Sequence, residues 1–153
     1  MELPTTELLS LNACSRLLRE KRRLLIYGKC LEVERPGLVE GLAEGRAAVW
    51  ACPERDHINV IALKVASIIA RVDLEEVTVV TVDGSPHCVQ LHHAVEEAIK
   101  VTKSGDLSVK HLVCHGDKLI EVSPRAVKVA RYLSKVKSLL RLEEERRSSL
   151  ERG

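Results

Sequence analysis

Residues 77–103, VTVVTVDGSPHCVQLHHAVEEAIKVTK, show a strand that runs through a turn into a helix. The stretch 77–82 consists only of Val and Thr, which is typical of a strand. The turn at 83–86 contains Gly and Pro, which interrupt regular structure. Apolar residues at helical spacing then predict a helix from residue 86 to about 103. Ser85 before the proline supports that start, because Ser caps helix N-termini and Pro fits the first helical turn.

The same alternation of strand and helix recurs on both sides of this stretch. Further strands are predicted at Leu24–Tyr27, Ala47–Ala51, Val109–Val113 and Leu119–Val122, and further helices at about 6–22, 36–44 and 54–72 and from Ser123-Pro124 onward. Strands that alternate with helices form a parallel sheet covered by helices. The predicted fold class is therefore α/β: three-layer, with a mostly parallel four- or five-stranded sheet of the flavodoxin/Rossmann-like kind. A hairpin between the last two strands would give the sheet an antiparallel edge.

The composition fits one α/β domain over residues 1–153, ending in a charged helical tail at about 141–153. A net charge of +2 and 2% aromatic residues offer no basic surface or stacking platform, so no nucleic-acid partner is expected. The sequence shows neither a long apolar run nor a signal-peptide layout, which predicts a cytoplasmic protein without a membrane span. Few Asn, Gln and Met residues beside 30% charged residues indicate a thermophilic source.

Four of the five cysteines follow predicted strands. They are Cys30, Cys52, Cys88 and Cys114. The carboxyl ends of parallel strands meet at one edge, where such folds bind their ligands, so we expect these four thiols to converge. Four thiolates suit an iron–sulfur cluster, with zinc as the alternative cofactor. Cys14 lies instead on the apolar stripe of the first predicted helix and is expected to be a buried core residue. Core packing of the other four cysteines, or a redox pair among them, are the competing interpretations.

Two histidines near the third predicted strand are weaker candidates for metal ligands. They are His87, in the turn beside Cys88, and His92, one helical turn beyond Cys88. A zinc site could combine His92 with Cys52, Cys88 and Cys114. The start of a helix also favours anions and thiolates, so Cys88 could instead be a nucleophile with His87 or His92 as its base. No glycine-rich nucleotide-binding motif accompanies this turn.

Residues 28–57 resemble a known class of redox subunit. The motifs are GKC at 28–30, ERPGLVEGLAEG at 34–45 and AVWACP at 48–53. This pattern resembles the iron–sulfur subunits associated with heterodisulfide reductases and hydrogenases, and the layout is similar to the small subunits of nickel–iron hydrogenases. The resemblance implies that Cys30 and Cys52 are cluster ligands. It departs from the pattern at Asp56 and His57, where the first family often has a second cysteine.

The leading hypothesis is a small cytosolic iron–sulfur electron-transfer or redox subunit of a larger oxidoreductase. Its cofactor ligands would be Cys30, Cys52, Cys88 and Cys114, and its partner a larger redox protein. The first alternative is a metal-free α/β interaction module that forms a homo-oligomer or docks on a partner through the apolar helix 58–70 or the charged C-terminal helix. The second alternative is a thiol enzyme that uses Cys88.

Overall fold

The computed structural model describes residues 6–153, which contain five strands and seven helices. The strands are β1 (Arg23–Gly28), β2 (Ala47–Ala51), β3 (Glu76–Val82), β4 (Ser108–His115) and β5 (Lys118–Val122). The helices are α1 (Arg16–Lys21), α2 (Leu31–Glu34), α3 (Pro36–Ala43), α4 (Ile58–Arg71), α5 (Val89–Thr102), α6 (Pro124–Ala130) and α7 (Leu133–Glu151). The chain divides into two compact units, one through Val122 and one from Ser123 onward.

The first unit is built on one sheet with the strand order β2-β1-β3-β4-β5. The first four strands in this order pair in parallel, and β5 pairs antiparallel to β4 through a turn at Gly116. Gly116 has a φ of 59°, a left-handed conformation that favours glycine. The predicted α/β class and mostly parallel sheet are therefore confirmed, as is the antiparallel edge.

Two apolar clusters cover the two faces of the sheet. The larger one joins Leu24 and Ile26 of β1 to α4 and α5. The smaller one joins Leu25 and Tyr27 to α2 and α3. Successive side chains of a strand point to opposite faces, so β1 contributes to both clusters in alternation. Since helices on both faces bury it, β1 is apolar without interruption from Leu24 to Tyr27.

The N-terminal helix predicted for about 6–22 is wrong, because only α1 is helical within residues 6–22. Residues 6–8 pair instead with the edge of β2: the backbone of Trp50 donates to Thr6 O and accepts from Leu8 N–H. Leu8 is fully buried in the larger cluster. Ser15 then caps α1, with its Oγ accepting from Leu18 N–H at 3.3 Å. Cys14 lies in the preceding turn and is exposed, so its predicted place in the core is also wrong.

The second unit consists of α6 and α7. Ser123 caps α6 as its sequence predicts, with its Oγ accepting from Ala126 N–H at 3.1 Å, and Pro124 occupies the first turn. The predicted last helix is broken at residues 131–132 into two helices. The predicted charged tail forms the C-terminal part of α7, which has no buried residue. Among the described helices, none is long and apolar enough to cross a lipid bilayer.

Candidate functional site

The strand order creates a crevice between β1 and β3. β2 lies beside β1 on one side within the sheet, and β3 lies beside it on the other. The loops that follow β1 and β3 therefore run in opposite directions. Such a switch point, at the carboxyl edge of the strands, is where open α/β sheets bind their ligands. Cys30 follows β1 by two residues, and Cys88 follows β3 through the turn at 83–87. Cys52 follows β2 directly, on the same edge.

Cys30, Cys52 and Cys88 form a group that we call the three-thiol cluster. The charges of Cys88 and Cys52 both act on the thiol of Cys30, which places the three side chains near one another. Partial burial raises the pKa of Cys30, and the neighbouring charges of Cys88, Cys52 and Glu54 raise it further. Mutual repulsion between thiolates is strong only at short range, so this effect reflects how closely the chain gathers the three sulfur atoms.

The close approach of Cys88 to β1 depends on a glycine. A Cβ atom added at Gly28 would lie 3.2 Å from Cys88 Sγ and 3.8 Å from Thr81 Cγ2. The sulfur atom therefore packs close to the backbone at the end of β1, where a larger residue would have to displace it by a few tenths of an ångström. On the other side, Cys88 N–H donates to Ser85 Oγ at 3.1 Å, and Gly84 turns the chain with a φ of 89°. These contacts fix Cys88 at the start of α5, with 4% of its surface exposed.

Cys114 does not join the three-thiol cluster. It lies at the end of β4 as predicted, but it packs in the smaller apolar cluster with Tyr27 and Val80. Its Sγ donates to Gly116 O at 3.5 Å. Cys88 instead precedes α5, which packs on the opposite face of the sheet. The structure thus brings together three of the four predicted cofactor ligands.

The two predicted histidine ligands lie in different environments. His87 is half-exposed in the turn beside Cys88, and its Nδ1 lies 4.0 Å from Oε2 of Glu54. Glu54 in turn acts electrostatically on Cys30, which places His87 in the neighbourhood of the cluster. His92 is buried, and both of its ring nitrogens are engaged, by Thr81 and by His111. A zinc site that uses His92 would first have to break one of these hydrogen bonds.

The sequence interpretation missed a group of cations on the same edge. Lys29 Nζ lies 4.4 Å from the ring centroid of Trp50, and the Arg55 guanidinium carbon lies 4.9 Å from it. Such cation–π contacts hold positive charge beside an aromatic face. Lys29 Nζ also lies 2.5 Å from Glu32 Oε2, and Tyr27 Oη donates to Glu32 Oε1 at 2.7 Å. The single tryptophan, at the end of β2, is the only sequence signal that pointed to this arrangement.

The interpretation also missed a buried hydrogen-bonded chain beneath the turn at 83–88. Thr81 Oγ1 lies 2.7 Å from His92 Nε2, and His92 Nδ1 lies 2.9 Å from His111 Nδ1. His111 Nε2 lies 2.6 Å from Glu96 Oε1. Thr81 and His92 line a cavity of about 330 Å³ that the turn residues Asp83 to Pro86 also enclose. The polar residues scattered over β3, α5 and β4 gave no motif by which to find this chain.

The three-thiol cluster offers the type of donor that iron–sulfur clusters use. Within residues 6–153, no three His, Cys, Asp or Glu side chains are arranged to hold one ion. An iron–sulfur cluster makes a different demand, because each cysteine binds its own iron and the sulfur atoms need not converge on one point. Cys30, Cys52 and Cys88 provide the soft anionic donors for three such positions. The fourth position needs a ligand other than Cys114.

The comparisons with known proteins place the chain in a family. The model of a Rossmann-like domain family matches residues 16–150, and the chain belongs to this family. The family agrees with the mostly parallel sheet. No curated protein and no solved structure matches the chain.

Proposed function

We propose that this protein is a small electron-transfer or redox subunit that binds an iron–sulfur cluster through Cys30, Cys52 and Cys88. The observation that carries this proposal is the convergence of three thiols from three separate loops at the switch point. An iron–sulfur cluster supplies one-electron transfer at a potential that its ligands and surroundings set. The reduced thiols that this role requires are consistent with the cytoplasmic location that the composition predicts.

The proposed ligands of the iron–sulfur cluster differ in their burial. Cys88, packed against Gly28, provides a fixed and buried donor, while the exposed Cys30 lies on the side open to solvent. Lys29 and Arg55 are held over Trp50 near the same edge. Both cations are paired with carboxylates, Lys29 with Glu32 and Arg55 with Asp56, so they add polar groups rather than net positive charge to this edge. His87 is our candidate for the fourth position, since it neighbours Cys88 in sequence and lies near Glu54.

A larger oxidoreductase is the partner that we propose. An iron–sulfur carrier passes its electrons to another redox centre, which a larger protein would provide. The helix α7 supports a partner contact because none of its residues is buried. It also exposes large apolar side chains: Leu133, Leu139, Leu140, Leu142 and Leu150.

Cysteine-to-serine substitutions test the cluster directly. After anaerobic reconstitution of the full chain with iron and sulfide, we expect visible charge-transfer absorption and stoichiometric iron and acid-labile sulfide. Cys30→Ser, Cys52→Ser and Cys88→Ser should each reduce the bound iron at least about tenfold, because serine is a much poorer ligand for iron than a thiolate.

Two cysteines outside the cluster provide matched controls for this experiment. Cys14→Ser and Cys114→Ser should both retain the iron of the parent protein, since the exposed Cys14 and the core residue Cys114 lie apart from the three thiols. A parent protein that stays colourless after reconstitution would refute the proposal. Loss of iron in Cys114→Ser alone would show that the ligand set is different.

The mutual interaction of the Cys30 and Cys88 thiols favours a second candidate function, that of a dithiol redox protein. In this reaction a disulfide oxidant takes two electrons, the Cys30 and Cys88 thiols lose two protons, and a Cys30–Cys88 disulfide forms while the oxidant becomes two thiols. Peptide mapping after anaerobic incubation with oxidised glutathione would detect the bridge. Cys52→Ser separates the two functions, because it should leave the disulfide intact but abolish cluster uptake.

The metal-free docking alternative loses one of its two surfaces. Ile61 and Ile68, in the apolar helix predicted to dock, are fully buried in the core between α4 and the sheet. Only a solvent-facing part of α4, with Val60 and Leu63, stays exposed. The exposed α7 is therefore the surface that we propose for a partner.

A further inference from the structure

Four side chains form an unbroken hydrogen-bonded line through the first unit. We call Thr81, His92, His111 and Glu96 the histidine relay; its three contacts measure 2.7, 2.9 and 2.6 Å from Thr81 to Glu96. The first three members are at most 3% exposed. Glu96 is different, because 32% of its side chain is exposed on α5. The line therefore connects the interior of the sheet to bulk water.

The inner end of the relay lies beside the candidate site. Thr81 and His92 line the 330 Å³ cavity under the turn at 83–86. Thr81 Cγ2 and Cys88 Sγ both lie within 3.8 Å of the position that a Cβ of Gly28 would take. The methyl group of Thr81 thus faces the end of β1 near Cys88, while its hydroxyl contacts His92.

Neutral imidazoles give every bond in the relay one direction. A carboxylate only accepts, so His111 Nε2–H donates to Glu96 and the Nδ1 of the same ring accepts. His92 Nδ1–H must then donate to His111, which leaves His92 Nε2 to accept from the Thr81 hydroxyl. If a proton is added at Glu96 and both rings change tautomer, each of these bonds reverses: Glu96 donates to His111 Nε2, His111 Nδ1–H donates to His92 Nδ1, and His92 Nε2–H donates to Thr81 Oγ1. Hydroxyl and imidazole are groups that can both donate and accept, so the line is continuous in either direction.

Core packing alone does not explain this arrangement. Burying two imidazoles is costly compared with apolar side chains of similar volume, and each hydrogen bond offsets only part of that cost. In each ring, one nitrogen contacts the neighbour on the Thr81 side and the other contacts the neighbour on the Glu96 side. Imidazole is the side chain that accepts at one nitrogen while donating at the other.

We propose that the histidine relay transfers protons between bulk water at Glu96 and the cavity at Thr81. For an outward transfer, an acidic O–H or S–H group at the cavity gives its proton to Thr81 Oγ1, and the Thr81 proton passes to His92 Nε2. The Nδ1 proton of His92 passes to His111 Nδ1, and the Nε2 proton of His111 passes to Glu96, which releases it to water. One proton enters and one leaves, and both rings change tautomer. The inference rests on the proposed function only for the identity of the group served.

The surroundings of His92 disfavour its protonated, charged form. Burial lowers the pKa of His92 to about 3, and the neighbouring charges of His111 and His93 contribute to the decrease. His111 lies on β4 and His93 on α5, so His92 meets titratable groups from both elements packed around it. A ring that stays neutral at physiological pH passes a proton on rather than holding it.

Hydrogen exchange of the buried ring proton tests the relay. In isotopically labelled, cluster-free protein, we expect NMR to show His92 protonated at Nδ1 and His111 at Nε2. The His92 Nδ1 proton should exchange with water at least about tenfold faster than core amide protons of β3. Glu96→Gln should slow this exchange at least about tenfold, because the amide oxygen still accepts from His111 Nε2–H but takes up no proton.

Glu97→Gln, on the exposed neighbouring position of the same helix, is the matched control and should leave the exchange within about twofold. Thr81→Val should also leave it unchanged, since protons reach His92 from the Glu96 end. Exchange as slow as that of the core amides, or equal rates in Glu96→Gln and the parent protein, would overturn the relay. Neither result bears on iron uptake, so the relay and the cluster can fail separately.

Discussion

The free energy of unfolding should fall by about 1.4 kcal/mol for each pH unit between pH 6 and pH 4 because of His92 alone. In the unfolded chain this histidine takes up a proton near pH 6.5, whereas burial holds its pKa in the folded protein at about 3. Within that window the unfolded state binds the extra proton. The neutral, buried His92 ring therefore contributes its full stabilisation above pH 6.5. This contribution to the free energy of unfolding is lost as the pH falls, by about 3 kcal/mol near pH 4.

Urea unfolding at a series of pH values measures this slope. His92→Gln removes the titration and should flatten the curve by about 1.4 kcal/mol per unit relative to the parent protein, whatever its effect on stability at pH 7. Equal slopes for the parent protein and His92→Gln would show that the ring is charged in the folded state.

Arg46→Met should destabilise the protein by about 2 kcal/mol, since it removes a charged hydrogen bond to the buried carboxylate of Glu76, while Arg23 and Lys110 remain 3.8 and 3.7 Å from it. Arg46 Nε lies 3.0 Å from Glu76 Oε1, and the side chains are 18% and 8% exposed. Burial by itself would raise the pKa of Glu76, but hydrogen bonds from Arg46 and Thr78 and the charges of Arg46 and Lys110 hold it below its usual range. Glu76 is thus a charged residue in the core at the start of β3, where it ties the loop before β2 to the sheet.

The double variant Arg46→Met/Glu76→Met distinguishes lost pairing from lost packing. It should recover most of the stability, because replacing both members of a buried ion pair by apolar residues is often close to neutral. Arg16→Met breaks the exposed pair with Glu20 and should change stability by less than about 0.5 kcal/mol, as is usual for surface pairs. A double variant that is less stable than Arg46→Met would show that the contacts of Glu76 with Thr78 and Lys110 outweigh the cost of burying its charge.

Local sequence patterns predicted most of the sheet correctly. The strand β2 has the predicted bounds, because an uninterrupted apolar run between Gly45 and the Cys52-Pro53 step leaves little ambiguity. The segment 6–15 shows the opposite case. Its leucines have helical spacing, yet Leu8 is buried by pairing with the edge of β2, and the Asn12 side chain accepts from Cys14 N–H at 2.8 Å in a turn. Long-range backbone pairing prevailed there over a short periodicity.

The sequence predicted where the cysteines lie along the chain, but not which of them face the same side of the sheet. The position of Cys30, Cys52, Cys88 and Cys114 at strand ends follows from turn signals close to each residue. Whether a cysteine faces α5 or α2 depends on strand register. Cys114 pairs with Val82 and shares a face with Val80, whereas His111 pairs with Val79 on the other face. A shift of one residue would exchange these faces, and such a register is fixed only when the whole sheet packs.

The sequence by itself determined that strands and helices alternate and that four cysteines come at strand ends, because these features depend on neighbouring residues. Only the tertiary structure decided that three of the thiols meet and that Cys114 packs in the core. It also joined Thr81, His92, His111 and Glu96 into one line, although they come from three elements. Side chains distant in the chain become neighbours through strand order and register, which the packing of both apolar clusters sets together.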